Sequence, residues 1–70
     1  MKEKLKKIAE KYQLTPKENK VFLRLMEGYN AKEIARMEGL TYETARWYIK
    51  QIYQKARVSR QVQLMRLIID

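Results

Sequence analysis

Arg46, Trp47 and Lys50 are the side chains whose types and spacing point most directly to a chemistry. On an α-helix they fall within about one turn and share one patch of surface. Arg and Lys there can donate to phosphate oxygens or to the O6 and N7 acceptors of guanine. Trp adds a flat apolar face and a single N–H donor. Tyr42 and Glu43 complete the same outward face. The plainer reading is a solvated surface for Arg46 and Lys50 and a core position for Trp47. Against it, Ala45, Tyr48, Ile49, Ile52 and Tyr53 already form the apolar stripe of that helix. A Trp left on the charged side is an exposed apolar group of the kind that marks a contact site. Catalysis has no comparable constellation. The chain has no Cys and no His, so thiol and imidazole nucleophiles, disulfides and zinc sites are all excluded. No catalytic residue, metal ligand or cofactor is expected.

The charge agrees with a polyanionic partner. Sixteen basic and 8 acidic residues give +8 on 70 residues. A field of that sign on so small a body favours nucleic acid first and an anionic membrane second. Residues 1–20 and 41–70 each carry +4, whereas residues 21–40 are neutral. This spread over separate elements argues against a membrane-surface peptide. No apolar run approaches a bilayer span and no secretory signal is visible, so a cytoplasmic protein is expected.

What must position the patch is a set of helices. With 2 Gly and 1 Pro, and no alternating apolar pattern, the chain reads as all-α. Leu5, Ile8, Ala9 and Tyr12 predict an amphipathic helix over 2–12. Thr15-Pro16-Lys17-Glu18 is a capping box with Pro at the first helical position, opening a helix over 16–27 that Gly28 ends. Asn30 and Glu33 repeat the box before a short helix, 31–38, closed by Gly39. Thr41 caps the longest helix, 42–56, and Ser59 caps a last one, 60–69.

The short helix, a tight turn holding Gly39 and the longer helix form a helix-turn-helix. Ala35 is small where the second helix crosses it, Leu40 fills the angle, and Ala45 and Ile49 face back to lock the crossing. The Ala-x-x-x-Gly pattern by itself also fits an ordinary helical hairpin.

From Leu14 to Ile68 the chain resembles the LuxR/FixJ-type (GerE-like) DNA-binding domain. The resemblance rests on Leu14-Thr15-Pro16-x-Glu18-x-x-Val21, Glu27-Gly28, Lys32-Glu33-Ile34-Ala35, Thr44-Ala45-Arg46, Ile52-Tyr53-x-Lys55, Val58 and Leu64, with no insertion. It implies a tetrahelical helix-turn-helix over 14–70, with residues 1–13 as an additional N-terminal helix. It implies that helix 42–56 lies in the major groove, with Arg46, Trp47 and Lys50 directed at bases. The surroundings of Lys32, Thr41 and Thr44 hold phosphates in such domains, and Tyr42 beside them is assigned the same role. The resemblance also makes the last helix a dimerisation element on DNA, its outer stripe being Val62, Arg66 and Ile69.

Several positions depart from the family pattern. Arg57 replaces a Gly at the end of the recognition helix, so it must take a left-handed conformation or end the helix differently; it is assigned to a phosphate. Tyr48 replaces a His. Arg24 is charged where the family is apolar, and Leu23 is apolar where it is polar. This suggests that helix 16–27 packs on something extra, with helix 2–12 packing on Leu23 or Phe22. The receiver or ligand-binding domain that usually accompanies such a unit is not in the sequence, so control by phosphorylation or an inducer within the chain is not expected. The expected function is a sequence-specific regulator of bacterial or phage transcription that binds double-stranded DNA as a homodimer and is not an enzyme. The rival is a small protein-interaction module that binds another regulator or RNA polymerase. A sigma-factor DNA-binding region shares the architecture but fits the Lys-Glu-Ile-Ala segment less well.

Overall fold

The structure, a computed structural model, describes residues 2–69. It consists of five helices: α1 (Lys2–Lys11), α2 (Pro16–Met26), α3 (Ala31–Glu38), α4 (Tyr42–Ala56) and α5 (Gln61–Ile69), with no strand among the described residues. Each predicted helix is present, and the ends differ by one residue at most. Local chemistry explains the starts. Glu18 N donates to Thr15 Oγ1 at 3.1 Å and Thr15 N donates to Glu18 Oε1 at 2.9 Å. Asn30 and Glu33 make the same reciprocal pair, both bonds at 2.9 Å. At α5 the expected Ser59 cap is replaced by another device. Gln63 Oε1 reaches back to accept from Ser59 N, Ser59 Oγ and Arg60 N at 2.8, 3.1 and 3.1 Å. One amide oxygen thus satisfies the two amides that precede the helix, as the third helical residue does in half of a capping box, and Ser59 acts as donor.

Four helices end through a residue with positive φ: Gln13 (55°), Gly28 (96°), Gly39 (67°) and Arg57 (57°). In each case the next amide bonds a carbonyl five residues back, as in Leu40 N to Ala35 O at 2.8 Å and Val58 N to Tyr53 O at 3.0 Å. Gly39 turns the chain sharply between α3 and α4 without a Cβ penalty. Arg57 does adopt the left-handed conformation, at a cost of about 1 kcal/mol, and so does Gln13, which no sequence signal marked.

The core is built around α2, which packs on α3, α4 and α5. Val21, Phe22 and Leu25 of α2 meet Ile34 of α3, Ile52 and Ala56 of α4, and Leu64 of α5. Phe22, Ile34 and Leu64 are fully buried, each contributing roughly 1.5–3 kcal/mol. α1 has a further neighbour, α5, that its sequence does not suggest. It packs on α5, where Lys4 Nζ donates to Ile68 O at 2.7 Å, and its Leu5, Ile8 and Tyr12 adjoin the core from that side. Leu23 stays 37% exposed and lines a groove between α1 and α2 together with Leu5, Ala9 and Met26. Arg24 is explained by α3 instead of α1: its Nε donates to Glu38 Oε2 at 2.9 Å, and Glu27 lies 3.5 Å from its Nη1. These carboxylates, the Glu38 hydrogen bond foremost, raise the Arg24 guanidinium above its ordinary range. Gln61 Nε2 closes the other side, donating to Leu25 O and Tyr29 O at 2.9 and 3.0 Å.

One buried charge lies among these contacts. Glu18 is 5% exposed, and its Oε1 accepts from Lys55 Nζ at 2.6 Å. Lys55 Nζ also donates to Gln13 O at 3.2 Å. Burial pushes the Glu18 carboxyl up, but the Lys55 ammonium and the Thr15 donors outweigh it and hold the group below the usual carboxylate range. A depressed carboxyl stabilises the fold fully above its unfolded value, about 4.3, and that contribution is lost as pH falls through the folded value. Glu18→Gln is expected to lower stability by about 1–2 kcal/mol at neutral pH. Its denaturant midpoint should also change less than the wild type's between pH 5 and pH 3 (about these values, given the unfolded reference). Parallel pH curves for the two proteins would show that the pair contributes nothing.

Candidate nucleic-acid interface

The α3–α4 unit is fixed by two small buried residues. Ala35 and Ala45 are 6% and 0% exposed, and Leu40 and Ile49 pack against the core. With Ala45, Ile52 and Ala56 turned inward, the opposite side of α4 must face solvent. Arg46, Trp47 and Lys50 are all exposed there, Trp47 at 55%. The three line one groove of about 820 Å³. Its other walls are Asn30 and Ala31 at the start of α3 and Val58, Ser59 and Gln61 after α4; Leu25, Ile49 and Tyr53 also line it. Burial raises the Tyr53 hydroxyl above its usual value, so it stays a neutral donor there.

The expected phosphate-binding residues fall into two places. Thr41, Tyr42 and Thr44 gather at the α4 N-terminus, where backbone N–H groups and the helix dipole favour an anion. Thr41 Oγ1 accepts from Thr44 N at 3.1 Å and donates to Thr44 Oγ1 at 2.8 Å. Thr41 is therefore committed to the cap, and the hydroxyl proton left to donate outward belongs to Thr44. Lys32 is exposed on the first turn of α3. Arg57 is exposed beyond the far end of α4, roughly 22 Å along the helix from Tyr42. None of these five lines the groove that Arg46, Trp47 and Lys50 share.

The charged face is also preorganised by aromatic contacts. The Arg46 guanidinium lies 5.8 Å from the centroid of the Tyr42 ring, and Trp47 meets Tyr48 edge-on at 5.2 Å. An exposed cationic and aromatic face on the second helix of a tight helix-turn-helix is the arrangement by which such units read duplexes. The sequence profile of the bacterial regulatory proteins of the luxR family (GerE) matches residues 12–68. The chain belongs to the LuxR family. No curated protein and no solved structure matches it. LuxR-family domains are helix-turn-helix DNA-binding regulators and not enzymes, and α1 (Lys2–Lys11) precedes the matched segment. No described helix is long and apolar enough to cross a membrane, and no described cluster of acidic residues could hold a metal.

Gln54, Asn30 and Gln61 line the groove; from the sequence Asn30 is marked only as a helix cap, and the other two are not singled out. Gln54 had a detectable signal. Positions 43, 47, 50 and 54 recur at i, i+4, i+7 and i+11, so they form one stripe of the helix. Asn30 and Gln61 come from other elements and depend on the tertiary fold. For the dimerisation stripe, Val62 is 51% exposed and Arg66 is exposed, whereas the side chain of Ile69 lies outside the described residues. Because Trp47 contacts Tyr48 at the surface, Trp47→Ala should lower stability by about 1 kcal/mol or less. A thermal melt monitored by circular dichroism decides this; loss of the folded state would place Trp47 in the core.

Proposed function

We propose that the protein is a sequence-specific double-stranded DNA-binding transcriptional regulator that inserts α4 into the major groove. The observation that carries this reading is the exposure of Arg46, Trp47 and Lys50 together on a helix whose other side is locked by Ala45 and Ile52. Arg46 and Lys50 donate to guanine O6 and N7. Trp47 packs on a thymine methyl or against the sugar-phosphate wall, with its N–H directed to a phosphate. Lys32, Tyr42, Thr44 and Arg57 hold the DNA backbone through their side chains and Thr41 through the α4 N-terminus that it caps, and together they set the register. The separation of Arg57 from the α4 N-terminus suits contacts to well-separated phosphates.

Binding to duplex DNA is expected to fall by about 10³–10⁵ between 50 and 200 mM salt if a dimer neutralises roughly 6–10 phosphates. Lys32→Ala and Arg57→Ala should weaken all duplexes alike. Arg46→Ala should relax preference at one or two base pairs, by about 1–3 kcal/mol, while the melting temperature barely moves. A flat salt response would support instead a module that binds another regulator or RNA polymerase.

The exposed face of α5, with Val62 and Arg66, supports a homodimer that forms on DNA across a pseudo-palindrome whose half-sites lie about one helical turn apart. The helix is short, so its contact area favours a monomer in the absence of DNA. Sedimentation of Val62→Glu with and without a selected duplex is expected to show one protein per duplex where the wild type shows two. Unchanged two-to-one binding would remove α5 from the interface.

A further inference from the structure

We propose that Glu43 is a specificity-determining residue that accepts a hydrogen bond from the N4 amino group of a cytosine in the major groove. The inference rests on the reading of α4 as the recognition helix. Glu43 is exposed and lines the same groove as Arg46, Trp47 and Lys50. It lies three, four and seven residues before them, hence on one face. Its carboxylate has no ion pair or hydrogen bond with any described residue. The cation nearest in sequence, Arg46, lies near the Tyr42 ring at 5.8 Å. The carboxylate is thus left with all its acceptor capacity directed outward.

A helix benefits from an acid anywhere in its first turn. That benefit does not require the acid on the face that carries Arg46 and Lys50, where it repels phosphate and weakens binding to every sequence. The position suits a base-edge acceptor better. Cytosine N4 is the major-groove donor that a carboxylate reads, while guanine O6 and N7 repel it. Glu43 therefore complements Arg46. It lies about 4.5 Å from Arg46 along the helix, little more than the spacing of one base pair. One residue selects guanine on the contacted strand, and the other selects cytosine beside it while penalising guanine there.

The test is selection from random duplexes with the full chain as wild type, Glu43→Ala and Glu43→Gln at one salt concentration. Melting of each protein is followed in parallel. The wild type is expected to enrich cytosine about tenfold at one pair next to the Arg46-dependent position. Glu43→Ala should lose that preference, keep the neighbouring ones and bind random duplex more tightly. Glu43→Gln should move the preference to adenine, because an amide matches adenine N6 and N7. An identical motif from wild type and Glu43→Ala overturns the proposal and leaves the DNA-reading function intact. Uniform weakening with a lowered melting temperature in both variants overturns it in favour of a purely structural acid. Failure of the wild type to enrich any motif overturns the recognition-helix reading, and the role of Glu43 falls with it.

Discussion

The contact between Glu18 and Lys55 ties the whole arrangement together. The Glu18 carboxylate closes the capping box of α2 through Thr15 N and receives the ammonium of Lys55 from the last turn of α4 at 2.6 Å. Lys55 also reaches Gln13 O, the carbonyl of the residue that turns α1 into α2. A single buried carboxylate therefore joins a helix start, a helix end and a chain reversal. A carboxylate this enclosed is tolerable only when its charge is matched, and here Oε1 accepts from both the Lys55 ammonium and Thr15 N. Removing Lys55 would leave the Glu18 charge buried and unpaired, so the packing of α2 on α4 rests on more than apolar contact.

That packing decides what the outer face of α4 can do. Apolar contacts alone would hold the helix but tolerate rotation, since Ile, Leu and Phe repack at small cost. The ion pair at the C-terminal end and the buried Ala45 at the N-terminal end constrain α4 at two points. A rigid element placed in this way presents its exposed side chains with defined directions, as recognition by side-chain hydrogen bonds requires. The positive-φ conformations at Gln13 and Arg57 flank the same ion pair in sequence, at 13 beside the cap and at 57 beside Lys55. Strain of that kind persists where surrounding structure over-determines it.

Much of this was legible in the sequence because each helix carries its own local start signal. Thr15 with Glu18, Asn30 with Glu33, and Thr41 act through bonds spanning three residues, so their meaning does not depend on the rest of the chain. The inward face of α4 was readable for the same reason: a 3.6-residue stripe of Ala45, Ile49 and Ile52 is a local property. What escaped was tertiary. Glu18 reads as a cap residue, and nothing local shows that it also holds a lysine 37 positions away. Arg24 looks like a misplaced charge until Glu38 is brought beside it. The docking of α1 on α5 could not be read from its own stripe, because Leu5 and Ile8 fit any apolar surface. Gln13 gave no warning because left-handed helix ends announce themselves mainly through glycine. The exposed face of α4 was found by elimination, while the groove that it shares with Asn30 and Gln61 required three elements to be placed together.

The contact of Lys4 with the Ile68 carbonyl brings the first and last helices side by side. The order of elements along the chain is then less constrained than the packing itself. A short connector joining α5 to α1 would span little distance, and new ends could be opened in the solvent-facing turn around Gly28, where an added Cβ would meet no neighbour. Such a circular permutant would keep the helix-turn-helix uninterrupted as its N-terminal half. It would also place α1, which precedes the family-matched segment, between α5 and α2 as an internal element. The fold depends on which helix faces are opposed, and the direction in which the chain visits them is open to rearrangement.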